Sequence, residues 1–484
     1  MPDSIQQKLQ SALLLVSAAL SLGFGSLLVA AELPDLGQAL WLDGSPSSAR
    51  FLAAAKLNGT DNFTDSFLSQ DVISLHAEVQ VEQQHVNQIG NLFVIAEQDG
   101  QYLMRNQQGA FVDWDFQLHT LVPTVENKTL QASEVLTIVG DTEVGSLGLA
   151  GGQVSLYFAY EVSAAPGELI YSSIPLTFEF QDYQPLLNTR STAEIIDTGF
   201  IDEAREREIP LLIYLPESQQ PRPVILFSHG LGGSRFSSGY LGEHWSSRGY
   251  VGIFMQHRGS DSSILQGVPA NQVLAVLNAA GSAVNSISRI EDVSAVIEQL
   301  YLWNDISSNE LFGRLDLDRI GMSGHSYGAR TTQAVSGEDI TWIGPDTRDP
   351  RIKAAVPLSP SSPAGADLEA VFAGAVIPWL VMTGTLDTSV VGNTSVEDRL
   401  AVYPALPPGG KYELIFFEGE HHAFSDGQLR VDQNPRNPNH HSAIMALSTA
   451  FWDAWLLGYP DARSWLDGEG AQSVLEPMDS WLFK

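Results

Sequence analysis

From residue 197 onward, short uninterrupted apolar runs alternate with amphipathic stretches: PVILFSHG, YLGEHWSSRG, YVGIFMQH, SRIEDVSAVIEQLYLW, RIGMSGHS, RIKAAVPLS, IPWLVMTG and YELIFFEG. A run of roughly four to eight apolar residues without polar alternation suits a strand covered on both faces, and the helical stretches between the runs supply the covers. Residues 197–484 are therefore predicted to form an α/β domain, a mostly parallel sheet with helices on either side. Within it, Ser288 and Glu291 stand in S-x-x-E spacing and are expected to open the helix over SRIEDVSAVIEQLYLW as a capping box.

Upstream the rhythm is different. Between residues 71 and 180 the runs ISLHAEVQV, NLFVIAEQDGQYLM, GAFVDWD, EVLTIVG, QVSLYFAYEV and PLTFEF alternate with period two and are broken at DG and GG. That pattern predicts antiparallel strands joined by tight turns, a β-sandwich-like accessory domain over 32–185, with a connector at 186–196. His76, His85 and His119 are scattered through it and read as structural. Before it, residues 1–31 carry Lys8, a long apolar stretch and the small pair Ala30–Ala31, which reads as a bacterial export signal cleaved near Ala31, with an uncleaved N-terminal anchor as the alternative, and a secreted or periplasmic location.

Composition narrows the chemistry. The formal net charge of −32 sets the surface against nucleic acid and anionic membranes. With no cysteine in the chain, disulfides, thiolate metal sites and a cysteine nucleophile are all excluded. His440 and His441 lack acidic partners at ligand spacing and are expected at a helix start, so no metal or other cofactor is expected.

In an open parallel sheet, functional groups collect at the carboxyl ends of the strands. Those ends carry HGLGG at 229–233, Ser326 in GHSYG, Asp387 in GTLD, and His421 and His422 in EHHAFSD. G-x-S-x-G alone is a weak signal, but a serine, an acid and a histidine in that chain order are what an α/β-hydrolase fold requires. Ser326 needs a base to attack a carbonyl, and His421 can take its proton and return it to a leaving alcohol. Asp387 can hold the imidazole in the right tautomer. The backbone N–H groups of Leu231 and Tyr327 can serve the developing oxyanion. Asp398 is the alternative acid and His422 the alternative base. The insertion at 260–286, rich in small and apolar residues, is expected over this site and suits an acyl group.

The stretch VILFSHGLGGSRFSSGYLGEHWSSRGYVGIFMQHRGSD, residues 224–261, together with GHSYG and GEHHAFSD, resembles the platelet-activating-factor acetylhydrolase family and its bacterial relatives of the predicted dienelactone hydrolase type. The resemblance spans roughly 196–460. It implies the α/β-hydrolase fold, Ser326 as nucleophile, Asp387 as acid, His421 as base, and Leu231 with Tyr327 as oxyanion donors. It also implies short-acyl or lipid-like esters as substrates. True dienelactone hydrolases use a cysteine nucleophile, so the lactone activity does not carry over. The expected function is thus a serine carboxylic ester hydrolase working through an acyl-enzyme. The alternatives are an acyltransferase using the same triad, or an envelope scaffold with an inert hydrolase domain that contacts its partner or a polymer through the β domain.

Overall fold

The alternating pattern of the N-terminal half becomes antiparallel strands. In this computed structural model, which describes residues 33–57, 59–60, 63–187, 193–340, 347–427 and 434–484, the chain separates into two compact units. One ends at Tyr183 and takes in Tyr459–Asp461; the other comprises Gln184–Gly458 and Ala462–Lys484. The segment read as an export signal lies outside the described residues.

The first unit has two sheets. Arg50–Leu57, Val72–Gln80 and Ser133–Glu143 form one, antiparallel throughout. The other is built on the antiparallel pair Ile89–Gln98 and Gln153–Val162. Alternate residues of both sheets, among them Phe51, Ala53, Val79, Leu92, Val94 and Phe158, meet in one apolar core, which is why the sequence alternates. At the DG break, Asp99 and Gly100 have φ of 52° and 78°, and a two-residue turn with both centres at positive φ matches the twist of the strands it joins.

The second unit is a nine-stranded sheet. Its strands are β1 (Glu194–Asp202), β2 (Arg207–Leu215), β3 (Arg222–Ser228), β4 (Val251–Met255), β5 (Leu315–His325), β6 (Ile352–Leu358), β7 (Trp379–Leu386), β8 (Lys411–Glu420) and β9 (Ser480–Phe483). They lie in the order β1-β2-β4-β3-β5-β6-β7-β8-β9. The six from β4 to β8 are parallel, and β1, β2 and β9 are antiparallel flanks. Val224 and Leu226 of β3 pack on one face with Val293, Val296 and Ile297 of the helix Ala283–Asp305. Phe227, the next residue along the strand, meets Trp245 on the other. Burial on both faces explains the unbroken apolar run.

Two expectations need correction. Strand β1 starts at Glu194, inside the stretch read as a connector. It is a half-exposed flank with Ile195 and Ile201 largely in solvent, so no solid apolar run marks it. The helix read as opening at Ser288 instead runs Ala283–Asp305, capped by the Ser282 hydroxyl accepting from the Asn285 N–H. Ser282 satisfies an N–H that would otherwise be orphaned, and Ser288 lies more than a turn inside the helix. The segment 260–286 forms a short turn at Ser262–Leu265 and a helix at Val273–Ala280.

Candidate active site

Ser326 sits between the end of β5 and the helix Tyr327–Ser336, with φ 59° and ψ −114°. A non-glycine residue held there is strained, and it persists because the surroundings hold it. Glycine supplies the room around it. A Cβ on Gly328 would stand 1.8 Å from the Ser228 carbonyl oxygen, and one on Gly324 would stand 2.5 Å from the Gly328 oxygen. Neither glycine has a positive φ, so close approach of β3, β5 and the helix demands them, not the bend itself.

The Ser326 Oγ lies 2.9 Å from His421 Nε2, and His421 Nδ1 lies 2.7 Å from Asp387 Oδ1. Asp387 directly follows β7 and is fully buried; His421 opens the turn after β8. A carboxylate only accepts, so Nδ1 carries the proton and Nε2 is left to accept from the serine hydroxyl. The second Asp387 oxygen accepts from the Thr383 hydroxyl at 3.0 Å.

Arg399 completes this environment, and nothing in the sequence singled it out. Its guanidinium is almost wholly buried, with Nε 2.6 Å from the Asp387 carbonyl oxygen and 3.0 Å from Oδ1. Nη1 donates to the carbonyls of Ser359 at 2.6 Å and Pro360 at 3.1 Å, and Nη2 lies 3.2 Å from His421 Nδ1. Burial alone would push the Asp387 carboxyl up; Arg399 and His421 outweigh it and hold the group down at about 2.

The alternatives named from sequence are placed elsewhere. Asp398 caps the short helix Val396–Leu400, accepting from the Ser395 N–H at 2.8 Å while Ser395 caps it in return. His422 is buried, its Nδ1 3.9 Å from Glu420. His325 donates from Nε2 to the His421 carbonyl at 3.2 Å, and burial pushes it well below the usual imidazole range. His440 stacks on Phe416 and His441 on Tyr240, both at the start of the helix Asn439–Trp452.

Leu231 and Tyr327 both line the cavity, of about 1020 Å³, that holds Ser326 and His421. Among the described residues neither of their N–H groups has a hydrogen-bond acceptor. The turn carrying Leu231 passes close to the serine, since a Cβ on Gly230 would lie 3.5 Å from that of Ser326. Gly232, at φ 75°, has no room for a side chain either, with Leu277 2.9 Å from the would-be Cβ. Leu277 belongs to the helix Val273–Ala280, so the insertion does reach the cavity.

Parallel centre, antiparallel flanks and helices on both faces are consistent with the α/β-hydrolase fold, and the cavity stands at the carboxyl ends of the strands. The profile of the family described as platelet-activating factor acetylhydrolase, isoform II, matches residues 214–272. That stretch contains the Leu231 turn and ends before Ser326, and the similarity supports an esterase-like hydrolase activity in general. Comparison with curated proteins returns no match.

Proposed function

We propose that the chain is a serine carboxylic ester hydrolase acting through an acyl-enzyme. The observation that carries this is the continuous contact Ser326–His421–Asp387, at 2.9 and 2.7 Å, on a backbone turn that presents the serine to a cavity. Ser326 Oγ bonds to the ester carbonyl carbon as His421 Nε2 takes its proton; the tetrahedral intermediate collapses, and His421 returns the proton to the departing alkoxide. Water then repeats the sequence against the acyl-serine and frees the acid. Asp387 stays ionised throughout and stabilises the imidazolium. The Leu231 and Tyr327 N–H groups receive the oxyanion, where each donor is typically worth about a hundredfold to a thousandfold in rate.

The cavity favours short-acyl or lipid-like esters. Leu277, Val390 and Val391 supply apolar wall, and no metal or cofactor enters the scheme. The proposal extends to export through residues 1–31, testable by cell fractionation and N-terminal sequencing of the mature chain. The central test is labelling of Ser326 by a fluorophosphonate and turnover of p-nitrophenyl esters of graded acyl length, both lost in Ser326→Ala. Turnover that persists in Ser326→Ala rejects the reading; faster transfer to an added alcohol than to water assigns acyl transfer instead.

A further inference from the structure

Away from the cavity the second unit holds another serine, histidine and aspartate in line. Ser228 Oγ lies 2.9 Å from His257 Nε2, and His257 Nδ1 lies 2.9 Å from Asp292 Oδ2. All three side chains are completely buried, so this is no second nucleophile. What distinguishes it is Arg289, also completely buried, whose Nη2 donates to the Ser228 oxygen at 3.0 Å. A guanidinium can only donate, so the Ser228 proton must go to His257 Nε2 and the Nδ1 proton to Asp292. Burial drives His257 down to about 4 and keeps it neutral. Asp292 is anchored in turn by Arg207, at 2.7 and 2.8 Å.

We propose that Arg289 is the positioning residue of the oxyanion site, setting the spacing of the two backbone donors on either side of Ser326; this rests on the hydrolase reading above. Burying a cation is costly, and such a group ordinarily faces a carboxylate. Arg289 instead directs its donors to neutral oxygens: Ser228 and His229 in the segment leading to Leu231, Thr331 in the helix that begins at Tyr327, and Ser260 in the loop that backs the Leu231 turn. Towards the Leu231 turn, Nη2 also donates to the His229 carbonyl, and Nη1 reaches the Ser260 hydroxyl at 2.9 Å. The Ser260 carbonyl accepts from the Gly232 N–H at 2.8 Å. His229 is locked as well: its Nε2 accepts from the His257 N–H at 3.1 Å, which puts its proton on Nδ1, 2.6 Å from the Gly230 oxygen.

Towards the nucleophile helix, Arg289 Nε donates to the Thr331 hydroxyl at 3.1 Å. Its Cζ stands 4.6 Å from the centre of the Tyr327 ring. One rigid plane therefore touches both halves of the oxyanion site. The fork geometry fixes the His229, Ser228, Ser260 and Thr331 oxygens relative to one another, which a flexible ammonium cannot do. The buried Ser228–His257–Asp292 chain holds the Ser228 acceptor in place for it.

The test uses the full chain. Arg289→Lys keeps the charge and loses the fork; Ser228→Ala removes one acceptor and leaves the cation. Each is measured for thermal stability, kcat and KM on a p-nitrophenyl ester, fluorophosphonate labelling of Ser326, and inhibition by a trifluoromethyl ketone, whose adduct needs the oxyanion donors. Arg289→Lys should lower kcat about a hundredfold with KM changed less than twofold, and weaken the ketone by the same factor. Ser228→Ala should show the same pattern at about tenfold, and it carries the test if Arg289→Lys does not fold. The positioning role is overturned if folded, Ser326-labelled variants keep wild-type kcat and ketone affinity, or if kcat falls without the ketone. Absence of labelling and turnover in the wild type overturns the hydrolase reading itself, and the role of Arg289 with it.

Discussion

Arg399 governs how the acid of the candidate triad responds to pH. The Asp387 carboxyl is held at about 2, below its value in an unfolded chain near 4, so the native state is favoured whenever the group is ionised. That contribution, about 2 kcal/mol, is complete above pH 4 and drains away as pH falls from about 4 to 2. Arg399→Met removes the nearer cation and leaves only His421 and the hydroxyl donors against burial, so the carboxyl rises. The acid-unfolding midpoint followed by circular dichroism should move to higher pH, and an unmoved midpoint would refute the electrostatic role of Arg399. Histidine and acid assignments separate as cleanly. His421→Ala should lose nearly all turnover and Asp387→Asn about a thousandfold to ten-thousandfold in kcat, while His422→Ala and Asp398→Asn retain substantial turnover. Ser326, Asp387 and His421 were legible because each follows an apolar run that the sheet turns into a strand. Arg399 and Arg289 were not, because an arginine in a helix reads as solvated, and only the assembled fold reveals that carbonyls and hydroxyls have replaced water around it.

At the scale of elements, close approach is the controlling constraint. Gly328→Ala would drive a Cβ into the Ser228 carbonyl, prying β3 from the nucleophile helix. A loss of at least about 3 kcal/mol, or failure to fold, is expected by urea denaturation. Gly140→Ala, with open space around it, should change stability by no more than a few tenths. The cap of the helix Ala283–Asp305 gives a second measurement. Ser282→Ala should cost about 1 kcal/mol and Ser288→Ala less than half of that. Pattern alone favoured Ser288 because S-x-x-E is a complete box, whereas Ser282 has an asparagine, not a glutamate, three residues on; its hydroxyl nevertheless accepts from the Asn285 N–H and starts the helix there. The same limit hid β1, whose EIIDTGFID shows alternation without a fully buried face. The central parallel strands, covered on both sides, left the strongest trace.

For the molecule as a whole, a net charge of −32 means that like charges repel across the compact state. Raising ionic strength from about 0.01 M to 0.15 M shortens the screening length from about 30 Å to about 8 Å. The melting temperature should therefore rise with sodium chloride, and a fall on adding salt would show that attractive pairs outweigh the repulsion. The two aligned serine–histidine–aspartate sets offer something more. In each, an imidazole proton leans on a carboxylate in the same sense, yet His257 is sealed and His421 borders the cavity. Proton NMR would then carry an internal reference, two strongly deshielded resonances within one spectrum. The sheltered one should outlast saturation of bulk water while its counterpart fades, so that exchange with the medium, measured in a single sample, tells the sealed imidazole from the one at the cavity.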